Sequence, residues 1–392
     1  MKYRIRHAAA AVAAFAALTL SAGPLHAQQK PPLRIGLIAP MSGPLTSYGK
    51  SQEIFARMAV EDVNAKGGIN GSQLVLQIED SQLDPGQAVL LLRKFSAEGY
   101  VGVIGPMTGT QWETASPVAN QIGMPAIAAN AAKPGITVRP WTLRLVPADD
   151  SAQPEGFASF MKLQPKAKSA VIVADVREAT SKAAADEFEK LAKTAGLRIT
   201  EVVEFSTRAT DLSPAAIKVK GANPDLLLVA ALGPSAMLLA KEFAAQGIKA
   251  PVLASSMLWP GPFVNIVGEN GRNWYSWGFT TNERTHGNRE LHLSVVKRAQ
   301  ERADPTLGVP FNVANWTATY DSVLLYADIL RRTGLDGAAD PKKARETIKN
   351  EFMKLKTFTG VNSYTIRDSG DAHVPVQALQ LDPQRKVWKF PN

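Results

Sequence analysis

Gly105-Pro106-Met107-Thr108-Gly109-Thr110 places two threonines around a glycine, directly after the β-branched run Val101–Ile104 and before the helix-compatible stretch Gln111–Ala115. A strand that ends in such a loop and passes into a helix aims unpaired backbone N–H groups at one point. The positive end of the helix dipole there adds roughly 0.3–1 kcal/mol to the binding of an anion. With the hydroxyls of Thr108 and Thr110 as further donors, this spacing offers the capture of a carboxylate. The same residues also make a plain tight connection in an α/β sheet, since Gly105, Pro106 and Gly109 are turn formers. The surrounding elements have to decide between the two readings.

Other chemistries find little support. There is no zinc-hydrolase helix motif, serine elbow or phosphate-binding lysine loop, and Gly102-Val103-Ile104-Gly105 lacks the dinucleotide-binding spacing. Beyond the amino-terminal segment the histidines are His286, His292 and His373, which fall in loop or helix-surface contexts with no paired carboxylate, so surface positions are expected for them. Asp149 and Asp150 are adjacent, and adjacent carboxylates do not converge on one substrate atom by spacing alone. The absence of cysteine excludes disulfides, thiolate chemistry, cysteine-based metal sites and a lipid-anchored cysteine. No metal, cofactor or catalytic residue is expected.

The elements that position the loop alternate between strand and helix. Arg34–Ala39 reads as a buried strand; Ile54, Phe55, Met58, Ala59 and Val63 share a helical face; and Lys66-Gly67-Gly68-Ile69-Asn70-Gly71 turns the chain into the strand Leu74–Glu79. Asp84-Pro85 is a cap followed by proline at the first helical position. Val101–Ile104 and Ala126–Ala129 supply the next strands. Around Arg144–Asp150 the rhythm restarts, with strands at Ser169–Val173, Arg198–Phe205 and Asp225–Ala230 and helices at Lys182–Ala195, Pro214–Lys220 and Pro234–Gln246. Trp274–Phe279 is a strand on which Tyr275, Trp277 and Phe279 share one face, read as core packing before cleft wall. Helices follow over Arg289–Arg302 and Val313–Arg332, then a helix capped by Asp340-Pro341, with last strands near Val376–Leu381 and Lys386–Lys389. Lys342, Lys343 and Arg345 are expected on solvated helix faces. Alternating strands and helices predict α/β units on mostly parallel sheets, whose ligands sit at the carboxyl ends of strands.

Met1–Ala27 has the three parts of a secretory signal peptide: Lys2, Arg4 and Arg6, the apolar run Ala8–Leu20, and a small-residue site with cleavage expected after Ala27. The apolar run is shorter than the ~17–25 residues of a spanning helix, which disfavours a retained anchor. The whole chain carries +9, and +6 once those three basic residues are removed, a modest excess that is no nucleic-acid footprint. The remaining length predicts two domains.

Several of these motifs together resemble a known family. Pro40-Met41-Ser42-Gly43-Pro44-Leu45-Thr46-Ser47-Tyr48-Gly49, Ala65-Lys66-Gly67-Gly68-Ile69-Asn70-Gly71, Asp84-Pro85 and Val103-Ile104-Gly105-Pro106 occur in the order found in the type I periplasmic solute-binding proteins. The nearest group is the branched-chain amino-acid binders of ABC importers. The resemblance implies two doubly wound, Rossmann-like α/β lobes joined by a three-segment hinge, with residues 28–147 and 281–372 in lobe 1 and 148–280 and 373–392 in lobe 2. The crossings fall near Val146–Asp150, near Gly278–Asn282 and within Gly360–His373. It further implies a monomeric periplasmic receptor, not membrane-embedded, whose partners are a small carboxylate ligand and permease subunits. The implied ligand residues are Tyr48, Met107, Thr108, Gly109, Thr110, Asn130, Ala131 and Ala132 from the first lobe and Ala179, Leu232 and Ser256 from the second.

Departures from the family pattern bear on the ligand. Where the amino-acid binders use a serine, a threonine and a glutamate for the ligand's carboxylate and ammonium, the matching positions here are Gly109, Ala132 and Ser256. An ammonium buried without its anionic partner is costly. Ala179 and Leu232 replace family residues, one of them a tyrosine, and leave a roomier apolar wall, with Tyr48 and Met107 to clamp an apolar group. The expected ligand is an aromatic or branched carboxylic or 2-oxo acid. The alternatives are branched-chain amino acids themselves, a ligand-sensing subunit of a regulatory system, and, least supported, an enzyme using the same cleft.

Overall fold

The computed structural model describes residues 30–258, 263–282, 284–304 and 316–391. The expected signal peptide and residues 313–315 of the helix expected over Val313–Arg332 lie outside the described residues.

In the first lobe β1 (Lys30–Ala39), α1 (Thr46–Ala65), β2 (Ser72–Asp80), α2 (Pro85–Ala97), β3 (Gly102–Ile104), α3 (Gly109–Ile122), β4 (Ala126–Ala128) and β5 (Thr142–Arg144) alternate as the periodicity predicts. The strands pair in parallel in the order β2-β1-β3-β4-β5. A parallel sheet is covered on both faces, so strand side chains are apolar at consecutive positions, and Leu37, Ile38 and Ala39 of β1 are wholly buried. Asp84 caps α2, its carboxylate accepting from Gln87 N at 2.6 Å, with Pro85 in the first turn.

The second lobe repeats the scheme with α4 (Asp149–Leu163), β6 (Ser169–Asp175), α5 (Ala179–Thr194), β7 (Arg198–Phe205), α6 (Ser213–Ala222), β8 (Leu226–Ala230), α7 (Gly233–Ala245), β9 (Val252–Ala254), α8 (Phe263–Val267) and β10 (Trp274–Gly278). The chain then returns to the first lobe through α9 (Arg289–Glu301), α10 (Thr317–Arg332) and α11 (Pro341–Lys354). It forms a small antiparallel sheet from β11 (Thr357–Thr359), β12 (Ser363–Ile366) and β13 (Ala372–His373), and adds β14 (Gln377–Asp382) and β15 (Val387–Lys389) to the second lobe. That lobe's strand order is β15-β14-β10-β9-β8-β6-β7, antiparallel only at β10/β14 and β14/β15. The chain therefore passes between the sheets after β5, after β10 and after β13. A bridge between Pro147 and Ala372 sets the first and third passages side by side.

Two charged or polar side chains expected at the surface are buried. Arg345 donates to the carbonyls of Tyr100 at 2.7 Å and Ser96 at 2.8 Å, satisfying acceptors at and just beyond the end of α2, while Lys342 and Lys343 are exposed as expected. His292 of α9 packs against the second passage, its Nε2 2.9 Å from the carbonyl oxygen of Thr281, and burial holds its pKa below the ordinary imidazole value. On α10, Asp321 is fully buried and accepts hydrogen bonds from Val361 N (2.6 Å), Asn362 N (3.0 Å), Asn362 Nδ2 (3.2 Å) and Tyr364 Oη (2.8 Å). That one carboxyl ties the small sheet to the first lobe.

Candidate ligand-binding site

Gly105 turns the chain out of β3 with φ +91°, and a Cβ there would lie 2.3 Å from the carbonyl oxygen of Ile38, so the turn requires glycine. Thr108 then caps α3. Its hydroxyl accepts from Gln111 N at 3.4 Å while Gln111 Oε1 accepts from Thr108 N at 3.3 Å, a reciprocal capping box. The Thr108 hydroxyl, expected as a ligand donor, is thus engaged by its own helix. Thr110 Oγ1 accepts from Ala179 N at 3.1 Å, across the cleft at the first residue of α5.

These contacts place the start of α3 against the start of α5, so the cleft is shut. Gly109 lies in this seam, where a Cβ would approach Thr180 Oγ1 to 2.3 Å. Tyr48 makes a second seam contact. Its ring stands edge-on to Trp316, centroids 5.6 Å apart, and its hydroxyl abuts Gly233 at the start of α7, where a Cβ would sit 1.9 Å from the phenol oxygen. Burial drives the Tyr48 phenol above its ordinary pKa and keeps it neutral.

Behind the seam, where the three passages meet, lies a cavity. Asn130 and Ala132 line it from the first lobe, Val146, Pro147, Asp149 and Ala152 from the first passage and α4, Ser256 from the turn after β9, Trp277, Gly278 and Phe279 from the end of β10, and Val376 from the approach to β14. Asn130 Oδ1 accepts from Gln52 Nε2 at 2.7 Å and Thr319 Oγ1 at 3.1 Å, which orients the amide and leaves Nδ2 as a buried donor without a protein partner. Asp149 is fully buried. Ser256 Oγ donates to its Oδ1 at 2.9 Å, and its Oδ2 has no protein partner. Burial pushes this carboxyl up to about 7, against the Ser256 hydrogen bond and the Arg144 charge, which pull it down. The indole Nε1 of Trp277 is also buried and unpartnered.

Of the expected ligand residues, Asn130, Ala132 and Ser256 line this cavity. Tyr48, Gly109, Thr110 and Ala179 form the seam, Leu232 is buried beside it as the cap of α7, and Met107 and Ala131 are buried in the first lobe. Arg144 organises the loop that carries Asn130. Fully buried, it donates to the carbonyls of Lys133 (2.6 Å) and Ala131 (3.3 Å) and to Asp371 just before β13 (2.5 Å).

Asp149, Val146 and Val376 are lining residues that motif spacing misses. Asp149 stands out only beside Asp150, and Asp150 is exposed. Trp277 and Phe279 were legible as one strand face, and they are buried and also wall the cavity, whereas Tyr275 packs on Phe160 with centroids 5.1 Å apart. Ser256, at the position matched to the family's glutamate, is bonded to Asp149, which brings a carboxyl group to the cavity wall. Among the described residues no cluster of three or more His, Asp or Glu side chains is placed to hold a metal ion, and no helix is long and apolar enough to cross a membrane.

The periplasmic binding protein family model matches residues 32–386. A leucine-, isoleucine-, valine-, threonine- and alanine-binding protein of Pseudomonas aeruginosa is 24% identical over 352 residues, covering 89% of this chain and 88% of that protein. Among solved structures, a leucine-binding protein from Thermotoga maritima superposes with TM-score 0.79 at 19% identity, covering 92% of this chain and 98% of that one. An R. palustris ABC-transporter solute-binding protein in complex with benzoate superposes with TM-score 0.75 at 17% identity, covering 90% and 93%. Two α/β lobes, three passages between them and a family match over nearly all of the described chain agree: the protein belongs to the type I periplasmic binding proteins, in the branched-chain amino-acid ABC transporter family.

Proposed function

We propose that this protein captures an amine-free carboxylate, aromatic or branched, in the cavity between its lobes and delivers it to ABC importer permease subunits in the periplasm, after export by its amino-terminal segment. The observation that carries this reading is the character of the cavity. Trp277, Phe279, Val146, Ala152 and Val376 form an apolar and partly aromatic wall, while the buried amide donor of Asn130 and the indole N–H of Trp277 have no protein partners. The chemistry of such a wall matches a flat apolar acid, and the R. palustris protein of this fold was solved with benzoate. Gly109 and Ala132 supply no hydroxyls for the two ends of an amino acid.

Branched-chain amino acids are the second reading, favoured by the Asp149 carboxyl, which would neutralise an α-ammonium, and by the specificity of the P. aeruginosa relative.

A thermal-shift panel separates the two. Benzoate, 4-hydroxybenzoate and 4-methyl-2-oxopentanoate are compared with leucine, isoleucine and valine, since a ligand at ~100 times its Kd adds about 2.7 kcal/mol of stability. The expected result is a raised Tm with at least one acid and little shift with the amino acids. The reverse pattern overturns the proposal.

A further inference from the structure

Asp149 is a carboxyl inside the cavity proposed to take a carboxylate, and two like charges in contact in a dry site repel strongly. The groups around it decide how this is resolved. Ser256, on the turn after β9, holds Oδ1 and leaves Oδ2 free. The charged groups acting on it are Arg144 on β5, which favours ionisation, and Glu178 at the cap of α5 and the neighbouring Asp150, which oppose it. Arg144 is already committed to Asp371, Ala131 and Lys133. Among the described residues no cationic side chain lines the cavity.

We infer that Asp149 binds the ligand in its protonated form, its Oδ2–H donating to the ligand carboxylate beside the Asn130 amide, so that each ligand anion enters together with one proton. A carboxylic acid and a carboxylate share one proton stably where two carboxylates do not. The device also discriminates: an α-ammonium calls for the ionised carboxyl and has the opposite pH dependence. This inference rests on the proposed amine-free acid ligand.

The test is isothermal titration of the panel acids and amino acids between pH 6.5 and 8.5, in two buffers of different ionisation enthalpy. Affinity for the acid is expected to fall at least tenfold over that range, with uptake approaching one proton per ligand at the alkaline end. Asp149→Asn, which keeps a donor and cannot ionise, is expected to flatten the profile and to bind the acid more tightly than wild type at pH 8.5. An acid that binds with no pH dependence and no proton uptake overturns this inference and leaves the proposed function standing. Failure of every acid to bind, or binding of leucine that tightens as pH rises, overturns both. A ligand-free reading accompanies it: the Tm difference between Asp149→Asn and wild type is expected to grow from pH 5 to pH 8, and a constant difference counts against the inference.

Discussion

Replacing Gly233 by alanine is expected to weaken ligand binding ten- to a hundredfold while leaving the empty protein folded. In the closed cleft the new methyl would sit 1.9 Å from the Tyr48 hydroxyl oxygen. Tyr48 has little room to retreat, because it is buried and its ring is set against Trp316. Forcing an extra methyl into such a contact costs about 1–3 kcal/mol, and here the cost falls only on the closed state. Alanine in the first turn of α7 is otherwise a better helix former than glycine. Tyr48→Phe removes the clashing oxygen, so Tyr48→Phe/Gly233→Ala is expected to recover most of the lost affinity in a titration with the acid identified by the thermal-shift panel. Wild-type affinity in Gly233→Ala would show that these two residues do not meet when ligand is held. Gly109→Ser follows the same logic. Its side chain would meet Thr180 Oγ1, so it is expected to lose affinity rather than gain the amino-acid binding that the family's serine supports.

The largest effect on stability is expected at Asp321. Alanine there removes the shared acceptor of two backbone N–H groups, the Asn362 amide and the Tyr364 hydroxyl. Leaving buried donors unsatisfied costs about 1–3 kcal/mol each. Partial rehydration of the vacated space brings the expected loss to about 3–5 kcal/mol by denaturant unfolding. The sign of the pH dependence is also defined. Burial raises this carboxyl to about 6 in the folded protein, above its value in the unfolded chain. Its contribution is therefore fully present below about pH 4 and declines as pH rises through about 6. Asp321→Asn is expected to remove that slope, but it keeps an acceptor for only one of the two backbone donors, because Val361 N and Asn362 N bond to different carboxyl oxygens. An alanine variant as stable as wild type would contradict this account of how the small sheet is held.

The fold was largely legible because its signals are local. Apolar runs such as Leu226–Ala230, the Asp84-Pro85 cap and the glycine-rich turn after α1 each report their own structure within a few residues. The short strands β5, β9 and β11 to β13 are not read from the pattern, whereas the equally short β3 and β4 are, because β-branched or apolar residues run together there. The cavity was less legible for a different reason. Asn130, Asp149, Ser256, Trp277 and Val376 come from segments far apart in the chain and converge only where the three passages meet. Tyr48 and Thr110 were visible through their motifs, but sequence alone does not distinguish a residue that touches ligand from one that touches the other lobe. Arg345 and His292 misled for a related reason: long polar side chains are read as solvated unless the carbonyls that receive them are known.

Capture between two lobes is the central claim, and small-angle scattering on the protein with and without a saturating panel acid tests it most directly. Tyr48 with Gly233 and Thr110 with Ala179 come together only when the cleft is shut, so ligand should shift the population toward the compact form and lower the radius of gyration. The predicted result is a smaller radius at saturation in the wild type and a weaker change in Gly233→Ala. An unchanged radius at saturation, for an acid shown by titration to bind, would contradict the account.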